Sequence, residues 1–154
     1  MLEPEERLAE LELALPPTPQ PTGSFVTAVR HGDLVFVAGH AAWHDGRFVT
    51  GRLGDDMTLE DGQRAAQLAA LCCLATLKAE LGRLSRIERI VKVLGMVRAT
   101  PDFAGVTPVI DGCSDLLIEL FGEAGRHARS AVGMSTLPSR CAVEVEMIVA
   151  VKGG

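Results

Sequence analysis

Ala142-Val143-Glu144-Val145-Glu146-Met147-Ile148-Val149-Ala150-Val151 is the stretch on which the fold turns. Strict alternation puts Val143, Val145, Met147, Val149 and Val151 on one side of a strand, a continuous apolar surface suited to lie under helices. The other side carries Ala142, Glu144, Glu146, Ile148 and Ala150. Two carboxylates on an otherwise small and apolar face mark a surface half-covered by another subunit, where they need partners once water is excluded.

Upstream, Ala128–Met134 reads as a second strand, in which alternation groups Arg129 with Ala131 and Gly133, small neighbours that leave room for a guanidinium. Joined to the last strand as a hairpin centred near Leu137-Pro138, it would set Arg129 opposite Glu144 or Glu146. That pairing has two readings. An Arg facing a Glu across strands is a structural ion pair of small worth when exposed. A planar guanidinium also grips a substrate carboxylate through two parallel hydrogen bonds, with a Glu nearby to orient it or handle a proton, which makes an organic-acid site.

The rest of the chain supplies the other layers. Phe25–Arg30 and Leu34–Ala38 are strand-like around a His31-Gly32-Asp33 turn, and Asp45-Gly46 marks a second turn. Thr58-Leu59-Glu60-Asp61 resembles a capping box and Gly82 a left-handed stop, bracketing one long helix with Ala66, Ala70, Cys73, Leu74, Leu77 and Leu81 on one stripe. Ile90–Val97 is a further strand with Gly95 as a bulge candidate, and Thr107-Pro108 opens a second helix that ends at Gly122. The order is β-β-β-α-β-α-β-β, an α/β (α+β) chain with two helices on one face of a mixed sheet, leaving the other face in need of cover. Residues 1–15 read as a short helix with Leu8, Leu11 and Leu15 in register, followed by a linker held extended by Pro16, Pro17, Pro19 and Pro21. This divides the chain into an appendage, 1–20, that packs on a neighbouring surface and one domain, 21–154.

A chain of 154 residues with 47% apolar and 23% charged residues is one globular domain, and its net charge of −5 weighs against a nucleic-acid partner. No membrane span or secretory signal is evident, so the cytoplasm is the expected compartment. Cys72, Cys73, Cys113 and Cys141 lack metal spacing, and no phosphate-loop or dinucleotide fingerprint occurs, so neither metal nor cofactor is expected. His31, His44 and His127 fall beside turns or a strand start and read as surface residues, while His40, after Gly39 at a strand end, is a candidate for a pocket rim.

The run His127-Ala128-Arg129-Ser130-Ala131-Val132-Gly133, then Leu137-Pro138 and Ala142–Val149, resembles the C-terminal signature of the RidA/YjgF family, also labelled L-PSP endoribonuclease-like. Gly23-Ser24-Phe25, Leu34–His40 and Asp102–Thr107 resemble the family's motifs elsewhere, so the likeness spans about residues 21–151. It implies a chorismate mutase-like fold, a homotrimer with clefts between subunits, and hydrolytic deamination of small enamine or imine intermediates to a 2-oxo acid and ammonia, without cofactor or metal. Carried over, Arg129 holds the substrate carboxylate and Glu144 positions the attacking water, with Phe25, Gly39, His40, Thr107, Ser130 and Ala131 lining the cleft.

The departures bear on turnover. Where the deaminase branch has Tyr, Ser-Gly-Gln, Asn and a Cys shortly after the Arg, this chain has Phe25, Ala38-Gly39-His40, Thr107 and Ala131. A hydroxyl and a thiol are thereby lost from the inferred cleft, as expected of a divergent subgroup. The alternative is a non-catalytic trimer that binds or senses a small organic acid. Ribonuclease activity fits poorly with the acidic composition and the absence of a recognisable His acid/base pair.

Overall fold

The two carboxylates of the last strand lie near the middle of a sheet, because that strand is threaded between earlier ones. The computed structural model describes residues 1–153. In chain order it holds α1 (Pro4–Glu10), β1 (Ala28–His31), β2 (Leu34–Ala41), β3 (Trp43–His44), β4 (Arg47–Phe48), α2 (Leu59–Leu81), β5 (Ile87–Arg98), α3 (Val106–Phe121), β6 (Ala128–Met134) and β7 (Val143–Val151). The main sheet runs β1-β2-β7-β5-β6, antiparallel except for the parallel β5–β6 pair, while β3 and β4 form a separate hairpin turned by Asp45 and Gly46 at positive φ.

Both helices cover one face, α2 over β2 and β7, α3 over β5 and β6. Val143, Val145, Met147, Val149 and Val151 are all buried beneath them, as alternation requires. At the start of α2, Thr58 accepts from the Asp61 backbone and Asp61 bonds back to Thr58 N, a reciprocal cap worth about 1 kcal/mol. The helix ends at Gly82, whose φ of 87° a side chain would resist. Where α3 crosses α2, a Cβ on Gly112 would land on the Gln63 carbonyl, so only glycine allows the approach.

The expected β6–β7 hairpin does not form. The β5-α3-β6 crossover lays β6 parallel to β5 at the sheet edge, and β7 enters on the far side of β5. Arg129 therefore flanks Val93, which flanks Met147, and it shares the helix-covered side instead of facing Glu144 or Glu146.

Smaller departures have local causes. Strand β1 begins at Ala28 because Phe25 N is engaged in a tight turn with Gly23 O, at 2.9 Å. Helix α3 starts one residue before Thr107, with Gly105 as its cap, which puts Pro108 in the first turn where a missing N–H costs nothing. Gly95 is no bulge; its register is continuous, and a Cβ there would come within 2.5 Å of Ile110 Cδ1, so it serves close helix packing. A bulge does interrupt β2 between Val37 and His40.

The N-terminal helix is shorter than expected, and it docks on its own chain. Leu8 is buried in the main core, Glu5 accepts from Leu84 N at 2.8 Å, and Arg7 pairs with Glu119 on α3. Among the described residues no helix is long and apolar enough to cross a membrane.

Candidate functional site

Arg129 sits on the edge strand β6 and reaches beneath α3. Nη1 donates to Asp111 Oδ1 at 2.7 Å and to Ser114 Oγ at 3.0 Å, and Nη2 donates to the Thr107 carbonyl at 3.2 Å. Its side chain is 17% exposed while that of Asp111 is 45% exposed, so this ion pair is half-sheltered and stronger than an open surface pair. Ser114 Oγ also lies 2.8 Å from His127 Nε2, and His127 Nδ1 lies 2.7 Å from the Gly125 carbonyl. Burial holds the His127 pKa below 6.5, the Gly125 carbonyl opposes this, and the Arg129 charge adds to the lowering.

Glu144 occupies the other side of the sheet, between Met96 of β5 and Ala41 of β2. Burial raises its pKa above 4.5, and Glu146, two residues along the same face, raises it further. Among the described residues its carboxylate has no hydrogen-bond or ion-pair partner. The bulge in β2 brings Gly39 so close that a Cβ there would lie 2.8 Å from Glu144 Oε2. Around these groups the open face is apolar, with Val29, Phe36 and Val132 all exposed, and its end is closed by the Leu137–Cys141 turn packed on Met96.

The site residues read from sequence thus separate into two groups. Thr107 contributes its backbone carbonyl and Ala131 lines the covered side next to Arg129, with Ser130 pointing to the open side of the same strand. Gly39 and Glu144 form the second group, on β2 and β7, with β5 intervening between β7 and β6, so that two strand spacings, together roughly 10 Å, and the thickness of the sheet part Glu144 from Arg129, and Gly39 lies one strand further. Phe25 is exposed just ahead of β1, at the sheet edge opposite β6.

His40 joins neither group. Its ring is 5% exposed and turned under α2, with Nε2 2.7 Å from Thr76 Oγ and its pKa lowered chiefly by burial. Sequence reasoning missed Asp111, Ser114 and His127. Asp111 and Ser114 lie three apart on α3, one helical step, and that spacing is the signal that could have found them. The buried thiols are poor nucleophiles, since burial pushes Cys72 up to about 11 and Cys113 and Cys141 up to about 12.

A family model described as YjgF/chorismate mutase-like, putative endoribonuclease, matches residues 5–149. The chain belongs to this YjgF-like family. Among YjgF-like relatives, it is 40% identical over 144 residues to Protein TCP17 of Trypanosoma cruzi, covering 92% of this chain and 90% of that one. It is 29% identical over 142 residues to a 2-iminobutanoate/2-iminopropanoate deaminase of Dermatophagoides farinae, covering 91% and 95%. A crystal structure of a protein of unknown function from Agrobacterium tumefaciens superposes with a TM-score of 0.91 at 40% identity, covering 97% of this chain and 92% of that chain. A putative endoribonuclease from Shewanella oneidensis gives a TM-score of 0.94 at 32% identity, covering 97% and 100%.

Proposed function

We propose that the chain works as a homotrimer whose clefts lie between subunits, and that each cleft binds a small carboxylate-bearing imine or enamine and hydrolyses it to a 2-oxo acid and ammonia. One observation carries this reading: Arg129 and Glu144 lie on opposite sides of one sheet, so a second copy must supply one of them. The exposed apolar face around Phe36 and Val132 is the surface such a copy would cover. The deaminase relative supports the reaction class.

In this reading Arg129 anchors the substrate carboxylate. Glu144, its pKa raised by burial, accepts a proton from water as the oxygen attacks the imine carbon. The same proton then passes to nitrogen to give the carbinolamine, whose hydroxyl proton moves through Glu144 to the amino group as the C–N bond breaks, leaving the 2-oxo acid and ammonia. Water and imine supply every atom of the products. Phe25, Thr107, Ser130 and Ala131 line the cleft, with Gly39 keeping a side chain off Glu144.

A second reading is a trimer that binds a small organic acid without turnover, favoured by Phe25 and Ala131, which bring neither a hydroxyl nor a thiol. To separate the two, an amino-acid dehydratase generates a short-lived imine in situ, and its loss is followed with the unaltered chain and with Arg129→Ala. Faster loss with the unaltered chain alone supports the enzyme. Equal rates remove turnover of that substrate, and thermal protection by a 2-oxo acid of the unaltered chain but not of Arg129→Ala then favours the binding protein.

A further inference from the structure

His40 and His127 are wired alike. In each ring Nδ1 faces the backbone carbonyl two residues earlier, Ala38 at 2.5 Å and Gly125 at 2.7 Å, and Nε2 faces a helix hydroxyl, Thr76 at 2.7 Å and Ser114 at 2.8 Å. A carbonyl only accepts, so Nδ1 carries the hydrogen in both, and Nε2 of the neutral ring accepts from the hydroxyl. For His40 that chain of bonds stops at Thr76, in the core. At Ser114 it continues, because the oxygen that gives its hydrogen to His127 also accepts from Arg129 Nη1 at 3.0 Å.

The guanidinium has five N–H donors. Both on Nη1 go to Asp111 and Ser114, and one on Nη2 goes to the Thr107 carbonyl. Nε–H and the second Nη2–H have no partner among the described residues, and two donors on one guanidinium are what a bidentate carboxylate takes. Without the Ser114 acceptor, one Nη1–H is freed and the group gains freedom to swing about its Asp111 bond.

We propose that Ser114 and His127 are positioning residues for Arg129, holding its two unspent donors toward the ligand carboxylate; this rests on the carboxylate-binding role given to Arg129 above. The arrangement holds while His127 is neutral. The charge that acts on its ring is Arg129 on β6, itself paired with Asp111 on α3, while the adjacent Arg126 is paired with Glu123, and Arg89 of β5 engages the backbone carbonyls of both. Protonation turns Nε2 into a donor, leaves the Ser114 hydrogen without its acceptor and sets a second cation near Arg129, so ligand affinity falls as pH drops through the lowered pKa of His127.

The test is calorimetric binding of 2-oxobutanoate, a stable mimic of the imine's carboxylate end, to the full chain between about pH 5 and 8. Ser114→Ala and His127→Phe should each raise Kd roughly tenfold, the size of one lost anchoring hydrogen bond. The double variant should do no worse than either alone, because His127 acts only through Ser114. His127→Gln, whose side-chain oxygen can accept from Ser114, should restore affinity and abolish the acid-side weakening, while Ser114→Thr, which keeps the hydroxyl, separates a lost anchor from a folding defect. Additive losses, or single variants that leave Kd unchanged while Arg129→Ala abolishes binding, would overturn the positioning role and leave the carboxylate site standing. Binding that survives Arg129→Ala would remove the carboxylate site and this proposal with it.

Discussion

The surroundings of Arg129 and Glu144 differ in kind. Arg129 has three of its five donors satisfied by α3, and through it Asp111, Ser114 and His127 are linked in one chain of bonds that ends at the Gly125 carbonyl. Glu144 lies between Met96 and Ala41 with no partner among the described residues and a raised pKa. The cation is held ready within one chain, whereas the carboxylate bears an electrostatic cost that only something beyond the chain relieves. In the proposed assembly, a second copy or a bound ligand would relieve that cost.

The comparison can be broken first on the Arg129 side. Gly112→Ala would drive a methyl group into the Gln63 carbonyl and push α3 off α2. We expect a loss of roughly 3 kcal/mol in urea unfolding, at the upper end for overpacking because backbone cannot step aside. Carboxylate affinity should fall with it, since α3 carries Asp111 and Ser114.

On the other side, Gly39→Ala puts a methyl 2.8 Å from Glu144 Oε2 and turns the carboxylate away. Imine turnover should fall roughly ten- to a hundredfold, the price of a misplacement near 1 Å, with little change in Tm. An equal drop in Tm would show that Gly39 serves packing and not the carboxylate.

Glu144→Gln sharpens the contrast in stability. Because the folded-state pKa of Glu144 is raised, the folded chain disfavours the ionised form, so stability declines as pH rises past 4.5. Melting curves from acid to neutral pH should show the Gln variant free of that decline, more heat-stable at neutral pH and inactive in imine hydrolysis.

The smallest effect is expected at His40, whose lowered pKa means that the unfolded chain binds its proton first. Stability from this residue is complete above 6.5 and is lost as pH falls toward the lowered folded value. His40→Gln should flatten the acid limb of the Tm profile without altering ligand affinity at neutral pH.

How much of this was legible follows from the range of each signal. The Glu144 side was legible because alternation is local: β7 shows its apolar and acidic sides without reference to any other element. Thr58, Asp61 and Gly82 likewise bound α2 through contacts within a few residues. The surroundings of Arg129 were not, because they depend on which strand β6 joins. A short connection after Met134 suggests a hairpin, and nothing local announces that β7 will pass to the far side of β5. With the hairpin assumed, Arg129 is assigned a Glu partner, and the Asp111 and Ser114 that bind it go unread. His127 looked like a surface residue because its hydroxyl partner is thirteen residues away, on α3.

His40 went astray for a different reason, and the reason reaches beyond that residue. Uninterrupted alternation along β2 would aim the imidazole outward and Gly39 inward, and the one-residue bulge after Val37 exchanges them. Were β2 to keep every residue but pair without the bulge, the ring would turn out beside Glu144 and glycine would slide beneath α2, whereas deleting Ala38 together with the bulge would leave both where they are. What chemistry this surface presents is thus written in the phase of a strand before it is written in any side chain.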